Sequence, residues 1–124
     1  MTSTQKLRIV LVEDEPLIAM LLEDLLTDMG HDVCATEATE ARAVSAVIRE
    51  RPDIMIVDCH LREGSGIDAV AEILKDGFVP HIFMSGDNLR GKVLDAAAVV
   101  LQKPFFDGEL SAAIDQALAN APGR

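Results

Sequence analysis

Two kinds of apolar run alternate along the chain. Leu7-Arg8-Ile9-Val10-Leu11-Val12 and Ile54-Met55-Ile56-Val57 are almost continuously apolar and rich in β-branched residues. That pattern belongs to strands covered on both faces of a parallel sheet. Shorter runs at Asp32 to Thr36, His81-Ile82-Phe83-Met84 and Val99-Val100-Leu101 predict three more strands. Between them the apolar positions take helical spacing. Ile18, Leu21, Leu22, Leu25 and Met29 follow Pro16 and end at Gly30, a start and stop suited to a first-turn proline and a terminal glycine. Val44, Val47 and Ile48 predict the inner face of a second helix, capped by Thr39 and closed by Pro52, with Arg49 and Arg51 at its C-terminal end. Ser65 and Asp68 stand in the N-cap and N3 relation of a capping box before Ile67, Val70 and Leu74. Asn88 to Asp95 leaves room for about two helical turns. A last helix is expected from Asp107 to Ala119, with Leu110, Ile114 and Leu118 inward.

Five β-α units in succession imply an α/β fold, with a parallel sheet covered by helices on both faces, because right-handed crossovers are nearly obligatory. In such sheets, polar residues at the carboxyl ends of the strands converge on one crevice. Here those ends carry Glu13-Asp14, Asp58, Ser85 and the Lys103 region.

The chain of 124 residues suits a single domain, 1–124. With 49% hydrophobic and 26% charged residues it reads as globular rather than disordered. No apolar run approaches the ~20 residues of a membrane span. The opening Met1-Thr2-Ser3-Thr4-Gln5-Lys6 lacks the apolar stretch of a secretory signal, so a cytoplasmic location is the default. A net charge of −10 argues against nucleic-acid binding. Cys34 and Cys59 read as small reduced thiols, Met20, Met29 and Met55 as core filler, and His31 and His81 as surface or packing residues.

Three carboxylates after neighbouring strands repel one another, and a hard divalent cation relieves that repulsion. Mg²⁺ takes oxygen ligands and needs only one or two protein carboxylates. Lys103 adds a cation and Ser85 a hydroxyl donor. Phosphoryl transfer asks for little more than such positioning and charge stabilisation, and a carboxylate is an established nucleophile for it. The chemistry therefore gives Asp58 the attacking role, Glu13 and Asp14 the metal, and Lys103 with Ser85 the transferred group.

Val10-Leu11-Val12-Glu13-Asp14-Glu15, Ile54-Met55-Ile56-Val57-Asp58 and Lys103-Pro104-Phe105 resemble, in order, the signatures of response-regulator receiver domains. The likeness covers about residues 7 to 120. It implies a flavodoxin-like (βα)5 three-layer sandwich with strand order 2-1-3-4-5, the arrangement that a chemotaxis receiver illustrates. It also implies that Asp58 is the phosphoacceptor and that Asp14, Asp58 and the backbone carbonyl of His60 ligate Mg²⁺, with Glu13 acting through a metal-bound water. A cis Lys103–Pro104 peptide is expected as well.

The family implies a sensor histidine kinase or histidine phosphotransfer protein as phosphodonor and a protein target for output. No membrane or nucleic-acid partner is expected, and self-association no stronger than a weak homodimer. It implies a signalling protein that assists only its own phosphorylation and dephosphorylation, not an enzyme. The chain departs from the family pattern in three places. Asp58-Cys59-His60-Leu61-Arg62 lacks the proline that many receivers carry at its fifth position. Val99-Val100-Leu101 lacks the strand-five aromatic. Phe83-Met84-Ser85-Gly86 is similar to the F-A-T-G segment of a subgroup without that aromatic, but Asp87-Asn88 continues it differently.

Three rival readings fit the sequence less well. A pseudo-receiver would not need every group that is present here. An aspartyl-nucleophile phosphohydrolase would place Asp where His60 stands. A flavodoxin would place a Ser/Thr-rich loop where Glu13-Asp14-Glu15 stands.

Overall fold

The computed structural model describes residues 5–87, 89 and 91–122. The elements follow as β1 (Arg8–Val12), α1 (Pro16–Asp28), β2 (Asp32–Glu37), α2 (Glu40–Glu50), β3 (Ile54–Asp58), α3 (Gly66–Leu74), β4 (His81–Ser85), β5 (Val99–Gln102) and α4 (Asp107–Ala119). All pairings are parallel and the strand order is β2-β1-β3-β4-β5. This is the flavodoxin-like sheet that the resemblance implies, and the Lys103–Pro104 peptide is cis.

The period-two alternation of the strands sorts their side chains onto two cores. Ile9, Leu11, Ile54, Ile56, Ile82 and Met84 face α1 and α4. Val10, Val12, Met55, Val57 and Phe83 face α2 and α3. Both faces of β1 and β3 are therefore dry, which explains why their sequences run apolar without interruption.

The helices carry their start signals where the sequence puts them. Pro16 opens α1, the Thr39 side chain accepts from Arg42 N, and Ser65 Oγ accepts from Ile67 N and Asp68 N. Their inner faces match the expectation at Leu22, Val47, Leu110 and Ile114 and differ from it at other positions. The buried rows are Ala19, Leu22 and Leu26 in α1, Ala43, Ala46 and Val47 in α2, and Leu110, Ala113, Ile114 and Ala117 in α4. Ile18, Leu21, Met20 and Ile48 are exposed instead. Small alanines let these helices lie close on the sheet, so part of the larger aliphatic row is turned outward.

Between β4 and β5, none of the described residues forms a helix. The segment is built from isolated turns, with Lys92 N bonded to Leu89 O and Ala98 N to Asp95 O. Gly91 sits at φ +81, outside helical geometry. The helix expected over 88–95 is replaced there by turns; Asn88 and Arg90 lie outside the described residues. His81 is fully buried with its ring between Phe78 and Phe83, a packing role. Cys59 is buried, Cys34 half-buried, and both are free thiols.

Candidate functional site

Parallel pairing brings the carboxyl ends of β1, β3, β4 and β5 to one edge of the sheet. Val12 pairs with Val57, Asp58 with Met84, and Ser85 with Gln102. Glu13 and Asp14 thus leave β1 beside Asp58, and Lys103 leaves β5 beside Ser85. One oxygen from each of Glu13, Asp14 and Asp58 falls within 4.8 Å of the others. Lys103 Nζ donates to Asp58 Oδ2 at 2.7 Å and lies 3.8 Å from Glu13 Oε1. The backbone N–H of Lys103 donates to Ser85 O at 2.8 Å, which fixes where the lysine enters the crevice.

Burial makes this cluster electrostatically tense. Glu13 is almost wholly buried, and its Oε1 has no hydrogen-bond partner among the described residues. Desolvation pushes its carboxyl up to about 7, and the charge of Asp58 adds to the rise. The Glu15 N–H, donating at 3.1 Å, and Lys103 pull the other way. Burial drags the Lys103 ammonium down, but its hydrogen bond to Asp58 and the charges of Asp58, Glu13 and Asp14 outweigh that, so its pKa is raised overall. Cys59 beside the site is pushed up to about 11, by burial first and then by Asp58, so it is a thiol rather than a thiolate nucleophile.

The loop after β3 wraps the acceptor. His60 N donates to Asp58 Oδ1 at 3.0 Å, and Gly66 N to Cys59 O at 3.0 Å. A Cβ on Gly66 would overlap the Asp58 carbonyl oxygen, so only glycine allows α3 to start this close. Ser85 is buried at the end of β4, but its hydroxyl is turned to the backbone of Asp87. It donates to Asp87 O at 2.9 Å and accepts from Asp87 N at 3.1 Å. The His60 ring reaches Asp87 Oδ2 at 3.2 Å across the mouth of the crevice. Glu15 points outward, toward Arg62.

The structure therefore gathers Glu13, Asp14, Asp58 and Lys103, sets Ser85 at their edge, and brings the His60 main chain against Asp58. Sequence reasoning did not anticipate two contacts: Asp87 with His60, and Arg62 with Asp14, whose Oδ2 accepts the Arg62 N–H at 2.7 Å. The only signal for either was a departure from the family pattern at those positions.

The family model of the response regulator receiver domain matches residues 9–115. The chain belongs to the response-regulator receiver family. It is a receiver domain of two-component signalling. The phyllosphere-induced regulator PhyR of Methylorubrum extorquens is 40% identical over 114 residues, which are 89% of this chain and 43% of PhyR. The chemotaxis protein CheY of Thermotoga maritima is 32% identical over 115 residues, covering 88% of this chain and 95% of CheY. The solution structure of the Erythrobacter litoralis PhyR receiver domain superposes with a TM-score of 0.81 at 37% identity and covers 96% of each chain. The Brucella abortus PhyR crystal structure gives 0.82 at 35% identity, covering 93% of this chain and 49% of that one. The receiver thus spans less than half of the length of Methylorubrum PhyR. The transcriptional regulatory protein PdtaR of Mycobacterium tuberculosis, 31% identical, is matched over 57% of its length. PhyR and PdtaR are regulators by name. Among the described residues, no helix is long and apolar enough to cross a membrane.

Proposed function

We propose that this receiver, taken as one domain over 1–124, is a Mg²⁺-dependent phosphoacceptor switch in which Asp58 takes a phosphoryl group from a sensor histidine kinase or histidine phosphotransfer protein. The observation that carries the reading is the Lys103 ammonium at 2.7 Å from Asp58 Oδ2, beside two further carboxylates at the carboxyl edge of a parallel sheet.

The donor set fits the metal. Three carboxylates are crowded together, one is deprived of hydrogen bonds at Oε1, and a hard oxygen-seeking cation is what such a set accommodates. Glu13, Asp14, Asp58 and the His60 carbonyl would hold Mg²⁺, with Glu13 reaching it through water. When bound, Mg²⁺ neutralises the carboxylates and the phosphoryl oxygens. The chain's own residues do the rest. An Asp58 oxygen forms the new O–P bond as the donor's N–P bond breaks, and the electron pair returns to the donor imidazole. Lys103 passes from the carboxylate to the transferred group. Ser85 releases Asp87 to donate its single proton to a phosphoryl oxygen. No separate substrate is turned over, so the chain is a signalling protein rather than an enzyme.

Output goes through a protein surface. The Bartonella quintana PhyR, 32% identical, is described as an anti-anti-sigma factor, which supports protein contact as the output mode of the wider group. A cytoplasmic location follows from the phosphodonor.

Incubation with acetyl phosphate and Mg²⁺ tests the reading. One hydroxylamine-labile phosphoryl adduct is expected, absent in Asp58→Asn and after metal chelation. Equal labelling of Asp58→Asn would refute the assignment.

A further inference from the structure

We infer that Arg62 is a resident counter-cation for Asp14, a positioning residue that divalent metal must displace from the crevice. The inference rests on the metal reading of the Glu13/Asp14/Asp58 cluster and adds a residue that this reading does not need.

The two interior carboxylates already have a cation. Lys103 Nζ is within ion-pair distance of Asp58 and Glu13, at 2.7 and 3.8 Å. Asp14 is the carboxylate this lysine does not reach. Within 4 Å, its cationic partner among the described residues is Arg62, whose Nε stands 3.9 Å from Asp14 Oδ2. The same guanidinium reaches Glu15 Oε1 through Nη2 at 3.5 Å, so it straddles two of the three carboxylates after β1, Asp14 and Glu15.

The main chain of Arg62 holds it there. Its backbone N–H donates to Asp14 Oδ2 at 2.7 Å, linking residues 48 apart in sequence. Proline, which many receivers carry at this position, has no N–H and could not make that bond. The substitution therefore gives this chain a donor to Asp14 and a positive charge at the rim.

Geometry separates the two contributions. The Asp14 side chain is 12% exposed and the Arg62 side chain 71% exposed. A solvated guanidinium at 3.5–3.9 Å holds its partner weakly and pays side-chain entropy to do so. It can leave without cost to the fold. A divalent cation entering beside Asp14 meets a like charge and must move it. The presence of Arg62 thus raises the Mg²⁺ concentration at which the crevice fills, and with it the concentration at which the chain becomes competent for phosphorylation.

Titration of the metal alone decides the point. Mg²⁺ is added to 15N-labelled wild type, Arg62→Ala, Arg62→Lys and Asp14→Asn, and the backbone amide shifts of residues 58–65 are followed at low and high salt. Arg62→Ala keeps the N–H and loses the charge. Its Mg²⁺ affinity is expected to rise by about 3- to 10-fold at low ionic strength, the size of a screened charge–charge term a few ångströms away. Arg62→Lys should stay near wild type, and the gap should narrow in high salt. A merely structural role would weaken binding in Arg62→Ala and leave no salt dependence. Equal or weaker binding by Arg62→Ala, or tightening by Arg62→Lys as large as by Arg62→Ala, would overturn the inference and leave the metal reading standing. Binding to wild type no tighter than to Asp14→Asn would overturn the metal reading, and this inference with it.

Discussion

Glu13→Gln should stabilise the metal-free protein, by an amount that grows with pH. Glu13 is 2% exposed, and its pKa rises from 4.5 to about 7 on folding, chiefly through desolvation. A carboxyl whose folded pKa is raised holds its proton more tightly in the native state. Stability is therefore unpenalised below pH 4.5 and falls as pH climbs through the window to about 7. At 1.36 kcal/mol per unit, the full penalty is about 3 kcal/mol. Glutamine has nearly the same shape, never ionises, and can keep accepting the Glu15 N–H. The expected gain is about 1 kcal/mol at pH 5.5 and about 3 kcal/mol at pH 8.5, with both points well clear of the isoelectric point near 4.5.

Denaturant unfolding in chelator at several pH values measures this directly. The same series in saturating Mg²⁺ should erase the advantage. A cation paired with the carboxylate restores the charged form, and metal binding to the wild type should release protons near neutrality. Parallel stability–pH curves for wild type and Glu13→Gln would refute the reasoning. They would mean that water reaches Glu13 Oε1 freely and that the crevice is not under the tension inferred from its burial.

Two other substitutions probe the frame around the acceptor. Gly66→Ala should cost about 3 kcal/mol in unfolding experiments, because the new methyl overlaps strand backbone that cannot yield, whereas the exposed Gly86, with open space around it, should tolerate alanine. Lys103→Ala should lower metal-free stability by about 1 kcal/mol, since it leaves Asp58 and Glu13 facing each other; a gain in stability in chelator would show that the lysine is itself strained.

The order of elements was legible because this sequence punctuates itself. Pro16, Thr39, Pro52 and Ser65 mark helix ends by chemistry that acts locally, and β1 and β3 are apolar throughout because both of their faces are buried. The carboxyl-edge crevice was legible for the same reason, since in a parallel sheet each strand end is also a site position. Helix faces were less so. Ala43, Ala46, Ala113 and Ala117 are buried, while Leu21 and Ile48 are exposed. A reading that ranks residues by hydrophobicity alone follows the large side chains and misses helices seated close on alanine. The segment after β4 misled because it has room for two helical turns, whereas its left-handed Gly91 is outside helical geometry. Contacts such as Arg62 with Asp14 depend on how two loops meet. No local signal carries that information.

The route by which phosphorylation would reach a partner surface follows from the circuit around Asp58. His60 N bonds Asp58 Oδ1, the His60 ring faces Asp87 Oδ2, Asp87 holds the Ser85 hydroxyl, Ser85 O holds Lys103 N, and Lys103 Nζ returns to Asp58. Each link rests on one contact, or two between Ser85 and Asp87, so a change at one group is passed to its neighbour. A phosphoryl group brings three strong acceptor oxygens and about −1.5 to −2 of charge to Asp58. Ser85 has one proton to donate, and donating it to the phosphoryl group means withdrawing it from Asp87 O. Asp87 then loses one of its two bonds to the Ser85 hydroxyl. Val100 offers no alternative path. It stands on the edge strand, already 46% exposed, with a short β-branched side chain that has no buried position to exchange for an exposed one. The segment after β4 is the opposite case, with Gly86 at its start, turns in place of a helix, and Val93 93% exposed. Leu89, Leu94 and Ala98 pack on the α2–α3 core but stay only partly buried, and a lightly held segment is what a switching element needs. The Ser85–Asp87–His60 link is therefore the path this structure offers for the proposed switch.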